Sequence, residues 1–181
     1  METSTDLSMK KRMQNSKLTA KDIAVLGMMT ASLEAVKLAF SFLPNVELVT
    51  LLIIVYTVFA GRKVLLAVFA FVGIECLIWG FGVWTVMYLY IWPLLAAAVL
   101  VLRRQQSVWF YSTLSGVFGL LFGAMCAIPY FFIGGVKMAL TWWIAGIPFD
   151  ILHGISNFVV CLFLFVPLEG ALRKIESVLY Q

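Results

Sequence analysis

The chain has 181 residues, of which 63% are hydrophobic and 12% charged, with a formal net charge of +4. Soluble domains carry about a quarter of charged residues, so this composition excludes an ordinary soluble enzyme and reads as an integral protein of a lipid bilayer. The length allows one compact domain without a separate catalytic or nucleotide-binding module. The basic residues lie between apolar runs and not in a patch, so nucleic acid is not expected as a partner.

Residues 1–17, METSTDLSMKKRMQNSK, form a polar, basic tail with no short apolar run and small-residue cleavage site, so the expectation is a cytoplasmic tail and a retained first helix. A membrane domain over 18–172 and a short cytoplasmic tail over 173–181 follow. Hydropathy places six spans, near 20–43, 46–60, 63–82, 84–102, 108–131 and 147–171. The fold class expected is therefore an all-α integral membrane protein, a six-helix transmembrane bundle.

Orientation comes from the basic residues. Lys10, Lys11, Arg12, Lys17 and Lys21 precede the first span; Arg62 and Lys63, Arg103 and Arg104, and Arg173 and Lys174 mark the later turns on the same side. These places hold 11 of the 13 Lys and Arg residues. The positive-inside rule then puts both termini in the cytoplasm, and an odd number of spans would scatter the charges.

The first span carries two different signals. Gly27, Ala31, Ala35 and Ala39 recur every four residues, a strip of small side chains that lets another helix approach. That helix belongs either to the same chain or to a partner. Lys37 projects about 160° from Ala35, with Glu34 on its i, i+3 edge. Ionisable groups at membrane depth are functional candidates, although a Glu and Lys couple is also a common way of neutralising charge.

Beyond it, Pro44, Asn45 and Glu47 form a polar outer connection. Glu75 in the third span is a further carboxylate within an apolar run, followed by Trp79 and a glycine-rich turn at Gly80 and Gly82. The fourth span presents Trp84, Tyr88 and Trp92 at i, i+4 and i+8, an aromatic edge that suits a planar ligand or an interfacial belt. The connection over 129–148 is long, apolar and aromatic; its Trp142 and Trp143 either cover a site or lie among headgroups.

Asp150, His153 and Asn157 lie at i, i+3 and i+7 on one face of the last span. Exposing that face to lipid would cost several kcal/mol, so it is expected to face the bundle or a wet cavity. His153 is the only histidine. It is read either as a structural donor or as a ligand group, and Glu75 is expected to pair with His153 or Lys37 or to bind substrate directly. Cys76, Cys126 and Cys161 show no metal or redox spacing and read as small buried hydrophobes. One histidine with scattered carboxylates assembles no metal site, and no phosphate loop is present, so neither an enzyme nor a resident cofactor is expected.

Six short spans with both ends inside, the Gly27, Ala31, Ala35 ladder and the following FLPNVELVTLL resemble the substrate-binding S component of energy-coupling-factor (ECF) vitamin transporters. The likeness runs from residue 18 to 172, with Gly27 standing where the family's alanine strip would have an alanine. The resemblance implies a bacterial cell-membrane protein that captures a vitamin from outside. A membrane coupling protein and two cytoplasmic ATPases of an ECF module would supply the driving force. It further implies docking of the first-helix strip, Ala39 included, on the coupling protein, and gating by 44–47 and 129–148. The stretch WWIAGIPFDILHGISNF is similar to S components for cobalamin. Pyridoxine or a thiamine precursor is the alternative vitamin, and a ligand-free membrane scaffold or an intramembrane enzyme the alternatives of other classes.

Overall fold

The computed structural model describes residues 17–102, 105 and 107–179; Lys10, Lys11, Arg12, Arg103 and Arg104 lie outside them. Among the described residues the chain is helical, without strands: α1 Ala20–Ala39, α2 Val49–Ala60, a 3-10 turn Gly61–Lys63, α3 Val64–Trp79, α4 Val83–Leu102, α5 Val108–Cys126 and α6 Ile128–Leu179. Among the described residues four stretches are long and apolar enough to cross a membrane: Val49–Trp79, Val83–Leu102, Val108–Cys126 and Ile128–Val178. This supports a membrane protein. Helix α1, which carries Lys21, Asp22, Glu34 and Lys37, is not one of the four.

Local chemistry sets the helix ends. Thr19 and Asp22 form a capping box that starts α1, each side chain accepting the other's backbone N–H at 3.2 and 2.9 Å. After Phe40 the chain turns through Asn45, whose φ of 57° lies in the left-handed region that asparagine tolerates. Gly61 and Gly80, at φ 59° and 76°, close α2 and α3 where a side chain would be strained.

Three ties fix α1 against α3. Lys63 Nζ meets Asp22 at 3.1 Å, Thr30 Oγ1 donates to the Ala67 carbonyl at 3.3 Å, and Lys37 pairs with Glu75. The order 22–63, 30–67, 37–75 makes the two helices parallel, so α2 runs back between them in sequence and antiparallel to both. Every residue of α2 is buried. Its sequence, VTLLIIVYTVFA, is apolar on all sides, the signature of a helix enclosed by others, and α2 packs chiefly on α4 and α6.

Helices α5 and α6 form the tightest pair. A Cβ at Gly119 would stand 2.9 Å from the Cα and N of Gly154, and one at Gly116 would stand 3.1 Å from Phe158 Cβ. Glycine at 116 and 119 opposite Gly154 therefore lets the two backbones touch, and Gly123 leaves room for the Asp150 carboxylate. Further along the seam Tyr111 stacks on Phe165, with centroids 4.7 Å apart.

The expected long loop over 129–148 is a correction. Helix α6 begins at Ile128, breaks at Gly134 and Gly135, and then continues through Pro148 and Pro167 to Leu179. Pro129 falls in a first helical turn, where its missing N–H costs nothing. Gly135, at φ 73°, makes the break. The arms beside it meet through Tyr130 and Trp142, stacked at 4.2 Å.

Candidate functional site

A cavity of ≈ 240 Å³ opens where the C-terminal end of α1, the following connection, and the cavity-end halves of α4, α5 and α6 converge. Its lining includes Lys37, Asn45, Glu47, Tyr88, Trp92 and His153. All six were singled out in the sequence. Phe40 and Phe122 also line it and were not, while Pro44 lines it as part of the outer connection expected there.

One wall is built on α1, with α3 packed behind it. The Lys37 ammonium is paired with Glu75, whose side chain is almost wholly buried, and faces the rings of Tyr88, Phe71 and Trp84 at 4.9, 5.9 and 6.0 Å from their centroids. Glu34 is buried one turn back on α1, without a hydrogen-bond partner at either oxygen among the described residues.

The opposite wall joins the α1–α2 connection to α6. His153 Nε2 lies 3.2 Å from Glu47 Oε1, and Ser156 Oγ donates to the Asn45 carbonyl at 2.8 Å. Glu47 also accepts the Thr50 N–H at 2.9 Å and the Thr50 hydroxyl, which starts α2 with a carboxylate at its positive end. Burial alone would raise the Glu47 pKa, but the bonds from His153 and Thr50 outweigh it and hold the carboxyl below its ordinary value.

The aromatic edge forms the floor between these walls. Trp84, Tyr88 and Trp92 meet edge to face, 5.4 Å apart at each step. Trp92 then reaches Phe122 at 5.7 Å, and Phe122 reaches His153 at 4.9 Å. Trp92 Nε1 and His153 Nδ1 are buried with no hydrogen-bond partner among the described residues. They are hydrogen-bonding groups that water or a ligand would satisfy.

Other expected site residues stand apart from the lining. Asp150 Oδ1 accepts the Gly123 N–H at 2.9 Å, tying α6 to α5, and Asn157 is buried a turn deeper with its amide unpartnered. The structure does not bring Trp79, Trp142 or Trp143 to the cavity; they are 60%, 46% and 38% exposed. Trp142 instead belongs to a second concavity with Tyr130, Lys137 and Thr141 beside the Gly135 break.

The small-residue ladder faces outward. Gly27, Ala31, Ala35 and Ala39 are all exposed, and a Cβ at Gly27 would meet nothing within 4 Å. Cys76, Cys126 and Cys161 are free and buried. Among the described residues no group of three or more His, Cys, Asp or Glu is placed to hold a metal ion. Comparison with protein-family models, curated proteins and solved structures returns no match.

Proposed function

We propose that the chain is the vitamin-binding S component of an ECF-type importer, which captures a small organic nutrient on the outer face of the bacterial cell membrane. The observation that carries this reading is the two-sidedness of α1. One side of this single helix exposes the ladder of small residues, and the other contributes Lys37 to a cavity lined with aromatic and polar groups. A receptor that must hand its cargo to a coupling protein needs both.

In this reading α1 to α6 make six crossings, with the α2–α3 turn dividing the long apolar stretch. Lys21, Arg62, Lys63, Arg173 and Lys174 then share the cytoplasmic end and the cavity opens outward, as the positive-inside rule requires. The protein is not itself an enzyme; ATP hydrolysis belongs to two partner subunits, and the bound vitamin is substrate. The cavity, at ≈ 240 Å³, lies below the roughly 300–1,000 Å³ of sites for drug-sized ligands. That size supports a one- or two-ring vitamin, such as pyridoxine or a thiamine precursor, over the much larger cobalamin.

The test is to purify the protein from cells grown with a vitamin mixture and identify what it carries by mass spectrometry. A co-purifying vitamin is expected. An empty preparation that also ignores added pyridoxine, thiamine and cobalamin would remove the reading. In the complementary experiment, Ala35→Leu should reduce uptake and association with the coupling protein at least tenfold while leaving ligand affinity within about twofold. Lost affinity with intact association would contradict the assignment of the ladder.

A further inference from the structure

Acids at the cavity lining and buried just behind it outnumber the lysine that stands among them. Two carboxylates flank Lys37: Glu75 on α3, to which the ammonium is paired, and Glu34 on its own helix, close enough for the charges to interact. The third acid, Glu47, has His153 across from it. Glu34 is 8% exposed and accepts no hydrogen bond at either oxygen. A buried carboxylate in that condition gains from any further positive charge entering the site.

The Lys37 ammonium occupies what an organic cation would seek. A carboxylate lies on one side of it, and the faces of Tyr88, Phe71 and Trp84 stand within 6.0 Å. Such an aromatic box with an acid at its edge is a recognition site for ammonium and heteroaromatic cations. Glu75 is fixed, with 1% of its side chain exposed, whereas Lys37 is 29% exposed and lines the cavity on a flexible stem. At i, i+3 from Glu34, the same ammonium has a second acceptor on its own helix edge.

We propose that Lys37 is a tethered stand-in for the substrate's own positive charge. The site takes a flat, singly cationic nitrogen compound whose charged group replaces the Lys37 ammonium between Glu75 and Tyr88, while Lys37 moves over to Glu34. This rests on the receptor reading above and names the substrate class for the same cavity. The arrangement lets Glu75 keep a cationic partner whether the site is empty or filled. It also makes filling visible on α1, the helix that carries the ladder.

The experiment is a binding titration on the full chain in lipid nanodiscs, with four probes. Pyridoxamine, pyridoxine and 4-pyridoxate share one ring and carry a cationic, a neutral and an anionic substituent; thiamine carries a fixed cation. Expected is binding of pyridoxamine or thiamine at least tenfold tighter than pyridoxine, with no competition from 4-pyridoxate. Lys37→Met should keep or tighten binding of the cation, because the competing ammonium is gone. Glu34→Gln should weaken it about tenfold, or roughly 1.4 kcal/mol, because the displaced ammonium loses its acceptor.

Preferential binding of 4-pyridoxate, abolished by Lys37→Met, would overturn the proposal and make Lys37 an anion receptor. Equal affinity across the ring series, or no binding by any of the four probes, would overturn it as well. If Lys37→Met does not fold, the ring series and Glu34→Gln decide the matter. The receptor reading stands or falls separately: a neutral or anionic vitamin recovered from cells leaves it intact and removes only the cationic assignment.

Discussion

Glu47 joins three parts of the molecule at one carboxylate. It starts α2 through Thr50, faces His153 on α6, and lies in the connection that forms the cavity rim. Because its pKa is depressed on folding, its stabilisation is fully present above the ordinary carboxylate value of 4.5 and is lost as pH falls through the lower, folded value. Thermal unfolding of the detergent-purified protein should therefore be insensitive to this group near neutrality and fall off only in acid. Glu47→Gln should lower stability by about 1–3 kcal/mol at pH 7 and flatten the acid limb. An acid limb identical in both proteins would show that the contacts of Glu47 contribute nothing. Trp92→Ala should weaken ligand binding by at least tenfold, since Trp92 joins the aromatic edge to Phe122; an unchanged dissociation constant would remove it from the site. The polar members of this site were legible in the sequence because a charge or a histidine stands out in an apolar run. Phe40 and Phe122 were not, since a phenylalanine facing a cavity and one facing lipid look alike. Pairings were equally hidden: Glu75 was legible as a functional carboxylate, but its choice of Lys37 over His153 depends on α1 and α3 being parallel neighbours.

At the scale of elements, two glycine positions make opposite demands. Gly119 lies where α5 and α6 touch backbone to backbone, and Gly27 lies on the open side of α1. Gly119→Leu should destabilise the fold by at least about 1–3 kcal/mol, the usual cost of overpacking, and lower the melting temperature in detergent. Gly27→Leu should leave that temperature unchanged, since its side chain would meet nothing in the chain. Equal effects of the two would mean that the α5–α6 seam is not as close as described. Most helix boundaries were legible because apolar runs end at glycine: α2 at Gly61 and α3 at Gly80. The reading of 129–148 as a loop failed for an equally local reason. Pro129, Gly134, Gly135 and Pro148 look like successive breakers, yet one proline sits in a first turn, the other is absorbed within α6, and only the glycine pair interrupts the helix. After that interruption α6 is on the order of 65 Å long at about 1.5 Å per residue, roughly twice the hydrocarbon thickness of a bilayer. Its N-terminal portion, with Val136 and Ile144 at 58% and 60% exposure, therefore reaches past the cavity end of the bundle.

The molecule as a whole consists of an enclosed helix, α2, surrounded by helices whose outer faces are greasy and whose cavity beside Lys37 and His153 is polar and aromatic. Its sequence contains no phosphate-loop motif. Reconstituted alone in sealed vesicles, it should bind its ligand without accumulating it; concentrative uptake by the chain unaided would defeat the proposed division of labour. The parallel pairing of α1 and α3 has a mechanical consequence. Because those two rods are pinned near both ends and at the middle, neither can tilt without carrying the other. A neighbour that leans on the outside of the first would thereby shift the acid at the pocket wall, and a guest that disturbs that acid would tug on the neighbour in return.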